Sequence, residues 1–321
     1  MIKLSIIIPH YNSIESLMKL LKTIPKCKEI QVIIVDDHSN SSCKRKLADL
    51  KKSIQNKNIE IFSNKPNKKN AGSCRNLGLK KAKGKWVLFA DADDLFIEGF
   101  YDIILEYMDS KWDVVFFKPT SIEVDTGKTS DRHVPFKNII DNHLYNKNLS
   151  TELFLRYRFV VPWSKLLKRS FLEEHDIKFD EVISANDVMF SANVGYHMVD
   201  FKVSESVIYC VTKTKGSLTM LIDEKIFDVR LEVFVNYYQF LRDCLKKEDF
   251  KTLKLSGRGY LIKSLNFGFL KMLKVYSQLK SKKIKVIEFK LLNPVWLIKK
   301  LSNFKKKLQS EKRYYKNNNN K

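Results

Sequence analysis
The chain has 321 residues, 44% of them hydrophobic, enough for one large domain or a domain with an appendage. Its 59 Lys/Arg against 36 Asp/Glu give a net charge of +23. No stretch approaches the roughly 18 apolar residues of a membrane-spanning helix. The five cysteines are scattered and lack CxxC spacing, which speaks against a zinc site or disulfide framework and for a reducing cytosol.

Residues 4–9 (LSIIIP) read as a buried strand. The run is too short for a signal peptide, is stopped by Pro9 and has no small-residue cleavage site. Residues 13–24 have helical spacing, with Ser13 as a candidate N-cap. A strand follows over 31–37, a helix over 43–54, a strand over 59–64 and a helix over 72–84 closed by Gly84. The next elements are a strand over 86–91, a helix over 98–109 and a strand over 113–119. This alternation predicts an α/β fold, a mostly parallel sheet flanked by helices, with ligands at the carboxyl ends of its strands. Polar clusters stand at those ends: Pro9-His10-Tyr11-Asn12, Asp36-Asp37-His38-Ser39 and Asp91-Ala92-Asp93-Asp94. Residues 121–150 read as polar and irregular, 201–212 as a strand, and the chain from about 223 as helical until Pro294. The terminal YYKNNNNK has a disordered composition. These patterns divide the chain into a domain over 1–220 and a helical, strongly basic C-terminal region over 221–321.

Acids at the end of a buried strand repel one another and lose solvation, so a cation belongs beside them. Asp91 and Asp93 are placed to converge on a divalent cation, Mn²⁺ or Mg²⁺, whose remaining ligands are water and the phosphates of a nucleotide diphosphate. The alternative is a solvated acidic turn. Asp36 and Asp37 are placed to accept hydrogen bonds from a base or ribose, or else Asp37 or Ser39 caps a helix. The first βα turn reads PHYNSIES, without the glycines of a dinucleotide-binding turn. Arg75 offers a forked donor for phosphate or a surface ion pair. Trp163, with Lys165 beside it, either stacks on a sugar ring of acceptor or donor or packs in the core. Lys213, Lys215 and Ser217 either touch diphosphate or form a solvated turn. His10, His38 and His197 have no partners at ligand spacing and read as structural.

Taken together, SIIIPHYN, IIVDDHS, AGSCRNLGLKKAKGKWVLFADADD and FDEVISANDVMF resemble the family 2 glycosyltransferases, which have the GT-A fold. VPWSKLLKRSFL and KTKGSLT resemble segments of the branch that builds bacterial capsule and lipopolysaccharide. The resemblance covers about residues 3–220. It implies that Pro9, Tyr11, Asn12 and Asp37 line a nucleobase and ribose pocket, with Asp36 beside them. Arg75 would approach base or diphosphate, and Asp91, Asp93 and the adjacent Asp94 would hold metal. It further implies direct displacement with inversion at the anomeric carbon, a catalytic base from a later acidic pair, and a lipid-linked glycan acceptor. Here that pair reads Asn186-Asp187, so Asp187 is the base that remains, with Asp180 and Glu181 behind it. An Asn neighbour cannot raise the pKa of Asp187 by like-charge repulsion.

Residues 271–321 hold 16 Lys/Arg and two acids, Glu288 and Glu311. Residues 291–308 carry Leu291, Val295, Ile298, Leu301 and Leu308 near one helical face. That profile fits an interfacial helix on anionic lipid, or a helix capping the domain. It places the protein in the cytoplasm, peripheral on the inner face of the plasma membrane. Two other functions compete. A nucleic-acid-binding protein accounts for the charge, but its phosphates would meet strand-end acids, and Arg is sparse for base readout. A nucleotidyltransferase on a similar fold needs a Gly-rich basic loop where PHYNSIES stands.

Overall fold
The structure is a computed structural model that describes residues 1–53, 58–213 and 223–286. Its first half alternates β1 (Leu4–His10), α1 (Ile14–Lys22), β2 (Ile30–Asp36), α2 (Ser41–Ser53), β3 (Ile59–Ser63), α3 (Ala71–Lys81) and β4 (Trp86–Phe89). There follow β5 (Leu95–Phe96), α4 (Phe100–Leu105), β6 (Val114–Glu123), α5 (Val134–Tyr145), α6 (Leu149–Arg158) and β7 (Lys165–Lys168). Next come α7 (Arg169–Glu174), α8 (Val188–His197), β8 (Phe201–Lys213), α9 (Glu224–Cys244) and α10 (Lys247–Thr252). The strands form one sheet in the order β3-β2-β1-β4-β7-β6-β8-β5.

Strands β3, β2, β1 and β4 run parallel. β1, β2 and β4 are buried on both faces apart from Pro9, which is why they read as unbroken apolar runs. β7 then inserts antiparallel to both β4 and β6, while β8 runs parallel to β6 and β5 closes the edge antiparallel to β8. The register sets His10 level with Asp36, so the polar residues after β1 and β2 emerge together.

Three local expectations change. Ser13 precedes α1, but its hydroxyl makes no cap hydrogen bond, and its N–H donates to His10 Nε2 at 3.3 Å. α3 ends at Lys81, before Gly84. Residues 121–150 are not irregular: they hold the end of β6, α5 and the start of α6. The Asn148 side chain accepts from the Thr151 N–H and the Thr151 hydroxyl from the Asn148 N–H, a capping box that fixes the start of α6.

The chain separates into two compact units, Met1–Lys254 and Leu255–Lys321, where composition drew the line at 220. α9 and α10 thus lie in the same unit as the sheet: the Tyr237 hydroxyl donates to the Tyr157 carbonyl, and Arg158 donates to that of Leu253. The second unit contains α11 (Arg258–Ser264), a 3-10 turn and α12 (Phe269–Ser281). No described helix is long and apolar enough to cross a membrane. Lys215, Ser217, residues 291–308 and the terminal YYKNNNNK lie outside the described residues.

Candidate active site
Beyond β1 and β2, buried polar groups tie two loops together. His10 Nδ1 lies 3.0 Å from Asp36 Oδ1, and the Ser39 N–H donates to Asp36 Oδ2 at 3.2 Å. Burial opposes the charge of Asp36, but the bonds from His10 and Ser39 outweigh it and hold its carboxyl below the usual range. Asp36 therefore braces the loops from inside. Asn12 adopts φ 50°, donates its N–H to the Ser39 hydroxyl and accepts from the Asn40 N–H on its side chain. Neither Asp37 nor Ser39 caps α2: the Asn40 side chain does, accepting from the Cys43 N–H at 2.8 Å. Asp37 instead accepts from Asn64 at 2.8 Å, and Asn64 also bonds Ser73 of α3. Tyr11 is 48% exposed, with the Lys69 ammonium 4.5 Å over its ring. Pro9, Tyr11, Asn12 and Asp37 thus gather where the strands end. His38, in the same loop as Asp37, has its ring 2.9 Å from the Lys65 carbonyl.

Beyond β4, the three acids take three different environments. Asp91 is partly exposed and binds Arg75 Nη2 at 2.5 Å. Asp93 opens to solvent, yet surrounding protein, and then Asp91, raise its carboxyl above the usual range. Asp94 is 2% exposed and points inward. Its oxygens accept from the Tyr209 hydroxyl at 2.9 Å and from the Thr212 N–H at 2.7 Å. Burial, and then Asp91 and Asp93, push it well above the usual range. The expected metal role of Asp94 is therefore corrected, because both its oxygens already serve β8. Among the described residues no three His, Cys, Asp or Glu side chains gather to hold an ion. Asp91 and Asp93 remain, two crowded carboxylates that fit a divalent cation completed by phosphate and water.

Because its carboxyl is raised, the charge of Asp94 opposes folding increasingly as pH rises above the unfolded value. Asp94→Asn should therefore unfold at the same or higher temperature at neutral pH and keep most transfer activity. A loss of divalent-ion dependence in that variant would restore Asp94 as a ligand.

The third group arrives with α8. Gly72 makes this approach possible: a Cβ there would lie 2.0 Å from the Asp180 carbonyl oxygen. Asn76 of α3 then pairs twice with the Phe179 backbone, at 2.9 Å each way. Arg75 is buried, with its guanidinium 5.3 Å from the Phe179 ring centroid. It spans from Asp91 to the Asn186 side chain, donating to Oδ1 through Nη1 at 2.7 Å, so protein engages one N–H on each arm of its fork while the buried Nε has no protein partner. Asp187 occupies the N-cap position of α8 without making a side-chain cap bond. Surrounding protein raises its carboxyl, Arg75 opposes this, Asp91 adds to it and Lys165 opposes it. The elevation lost with the acidic neighbour is thus supplied by desolvation. Asp180 is raised by burial alone, whereas Glu181 is exposed and paired with Lys68.

Trp163 and Lys165 are corrected as sugar or acceptor contacts. Trp163 is 6% exposed, stacked on Tyr209 with centroids 5.8 Å apart and met edge-on by Phe136 and Phe159. It backs the tyrosine whose hydroxyl accepts from the Asp91 N–H and donates to Asp94. Lys165 is fully buried, donating to the Phe159 carbonyl at 2.7 Å and to Ser191 of α8 at 3.1 Å. Burial pushes its ammonium down to about 7, and Asp187 opposes the shift. Tyr209, Thr212 and Asn64 belong to no motif, and only the strand character of 201–212 pointed toward the first two.

The description "Glycosyl transferase family 2" matches this chain over residues 5–176. The poly(ribitol-phosphate) beta-N-acetylglucosaminyltransferase TarS of Staphylococcus aureus is 27% identical over 225 residues, 67% of this chain and 36% of that protein. The chain thus spans about a third of the length of TarS. A GalNAc(5)-diNAcBac-PP-undecaprenol beta-1,3-glucosyltransferase of Campylobacter jejuni is 23% identical over 303 residues, 94% of this chain and 93% of that one. Among solved structures, S. aureus TarS residues 1–349 in complex with UDP-GlcNAc superposes with a TM-score of 0.60 at 22% identity, covering 83% of this chain and 73% of the other. The fold is the GT-A arrangement that the resemblance implied.

Proposed function
Since the chain belongs to glycosyl transferase family 2, we propose that it moves a sugar from a nucleotide diphosphate sugar, UDP-linked, to a hydroxyl of a bacterial surface glycan. The observation that carries this reading is the junction made by Arg75, which links the Asp91 strand end to the Asn186–Asp187 turn. A donor diphosphate and an attacking hydroxyl have to meet at such a place. The family also favours this reading over a nucleic-acid-binding protein or a nucleotidyltransferase.

In the proposed pocket Pro9, Tyr11, Asn12 and Asp37 receive base and ribose, while Asp36 braces them. Asp91 and Asp93 hold Mn²⁺ or Mg²⁺, which when bound neutralises diphosphate charge. Asp187 accepts the acceptor's hydroxyl proton as that oxygen bonds to the anomeric carbon. The carbon–oxygen bond to the diphosphate breaks in the same displacement, inverting the centre, and the diphosphate keeps the electron pair. Arg75 orients Asp91 and, by its charge, favours ionised Asp187. A lipid-linked acceptor is supported by the name of the Campylobacter relative, which is collinear with nearly the whole chain. A peripheral position at the inner membrane face follows from such an acceptor.

The test is a screen of nucleotide sugars for slow hydrolysis without acceptor, with Mn²⁺ or with EDTA. UDP-sugars should be turned over and the metal should be required. Turnover confined to GDP- or CMP-sugars would overturn the UDP reading.

Lys165 gives a second prediction. Its folded pKa lies below its unfolded one, so the stability attached to it is full above the unfolded value and falls as pH drops toward about 7. Lys165→Met removes a positive charge that opposes protonation of Asp187. The acid limb of the transfer-rate profile should therefore move to higher pH. An unmoved limb would leave Lys165 a packing residue only.

A further inference from the structure
α12 has two apolar faces. Val275 and Leu279 are buried on one. Phe269, Leu273 and Tyr276, at i, i+4 and i+7, form the other with Leu270, and that face meets solvent. Phe269 is 65% exposed and Leu270 75%. Ile262 of α11 and Leu265 of the 3-10 turn are exposed too, and Gly268, at φ 99°, turns the chain between them and α12. Among the described residues, six large exposed hydrophobics thus fall within residues 262–276, against eleven scattered through the first unit. Clustering of that kind marks a docking surface, whereas isolated exposed leucines do not.

Charge selects the partner. Residues 255–286 carry eight Lys/Arg and no Asp or Glu. A protein partner for a leucine and phenylalanine face needs no such one-sided charge, and nucleic acid needs no such apolar face. An anionic phospholipid surface matches both, with headgroups for the exposed Lys263, Lys274 and Lys280 and the acyl boundary for the apolar side chains. We propose that this face of α12, with Ile262 and Leu265, docks on an anionic membrane surface. The docking element then lies in the described helices, upstream of the stretch over 291–308 that composition pointed to. The proposal extends the lipid-linked acceptor reading, but it is measured without donor or acceptor, so either can fail alone.

Its test is co-sedimentation of the full chain with vesicles of phosphatidylglycerol and phosphatidylcholine, against phosphatidylcholine alone. Wild type should bind the anionic vesicles, less tightly in high salt but still measurably, because screening weakens only the charge contribution. Leu270→Ser with Leu273→Ser should lower that binding about 10-fold or more, without changing the thermal midpoint or donor hydrolysis. In a second variant, Phe269→Trp, the added emission should shift to the blue with anionic vesicles only. Unchanged vesicle binding by the double serine variant overturns the proposal. So does a lowered thermal midpoint, which would show that the face is packed within the protein. A wild-type dimer that the serines convert to monomer assigns the face to a second copy and also overturns it. Binding to duplex DNA without binding to vesicles does the same.

Discussion

Replacing Asp187 by Asn should lower turnover about 10²–10⁴-fold while donor affinity and folding stay near wild type. Asn keeps the size of the side chain and most of its hydrogen bonding but cannot take a proton. Burial opposes ionisation of Asp187, so its carboxyl titrates above the ordinary carboxylate range. A base works only when ionised. The acid limb of wild-type transfer should therefore lie at higher pH than for a solvated Asp, and the variant should lose that limb. Asp93 and Asp94 are raised as well, and the disappearance of the limb is what isolates Asp187 from them. Near-normal transfer by the variant would move the role to Asp180, since Glu181 is already held by Lys68.

The parallel half of the sheet was legible because its central strands are covered on both sides. β1, β2 and β4 needed no alternation to be found, and the acids that follow them announced the strand ends. β7 was not legible: its first residue is Lys165, a charge that a sequence pattern places outside and that the fold buries on Phe159 and Ser191. β5 has two residues, too few to carry a period. α5 buries only Ile140 and His143, so its composition resembles a loop. In the candidate site, the strand-end placement of Asp37, Asp91 and Asp93 was readable, but the different surroundings of neighbouring acids were not. Asp36 and Asp94 turn inward because His10 and Tyr209 wait for them, and Tyr209 stands 115 residues from Asp94. Trp163 was open between sugar platform and core for the same reason: its stacking partner is also Tyr209.

Asp93→Ala should abolish the tightening of UDP binding by divalent ions and lower transfer about 10²–10³-fold, since a bound ion supplies several kcal/mol of charge stabilisation. The three acids are answered unequally by the protein. Arg75 answers Asp91, and Tyr209 and Thr212 answer Asp94. Among the described residues Asp93 makes no ion pair, and its carboxyl is raised by surrounding protein and then Asp91, against a weaker pull from Arg132. Such a group gives full stability below its unfolded pKa and loses it as pH rises through the folded one. Without metal, Asp93→Ala should therefore unfold at the same or a higher temperature than wild type at pH 8, and the difference should vanish near pH 3. Mn²⁺ with UDP should reverse the order at pH 8, because only wild type keeps both carboxylates for the ion. Where pH leaves the raised carboxyl partly protonated, binding should also release protons from wild type, as the ion draws that carboxyl back to its ionised form. If UDP binds equally well in EDTA, and the variant matches wild type with Mn²⁺ present, then Asp91 and Asp93 hold no metal. The strand-end acids would then act on ribose and base alone.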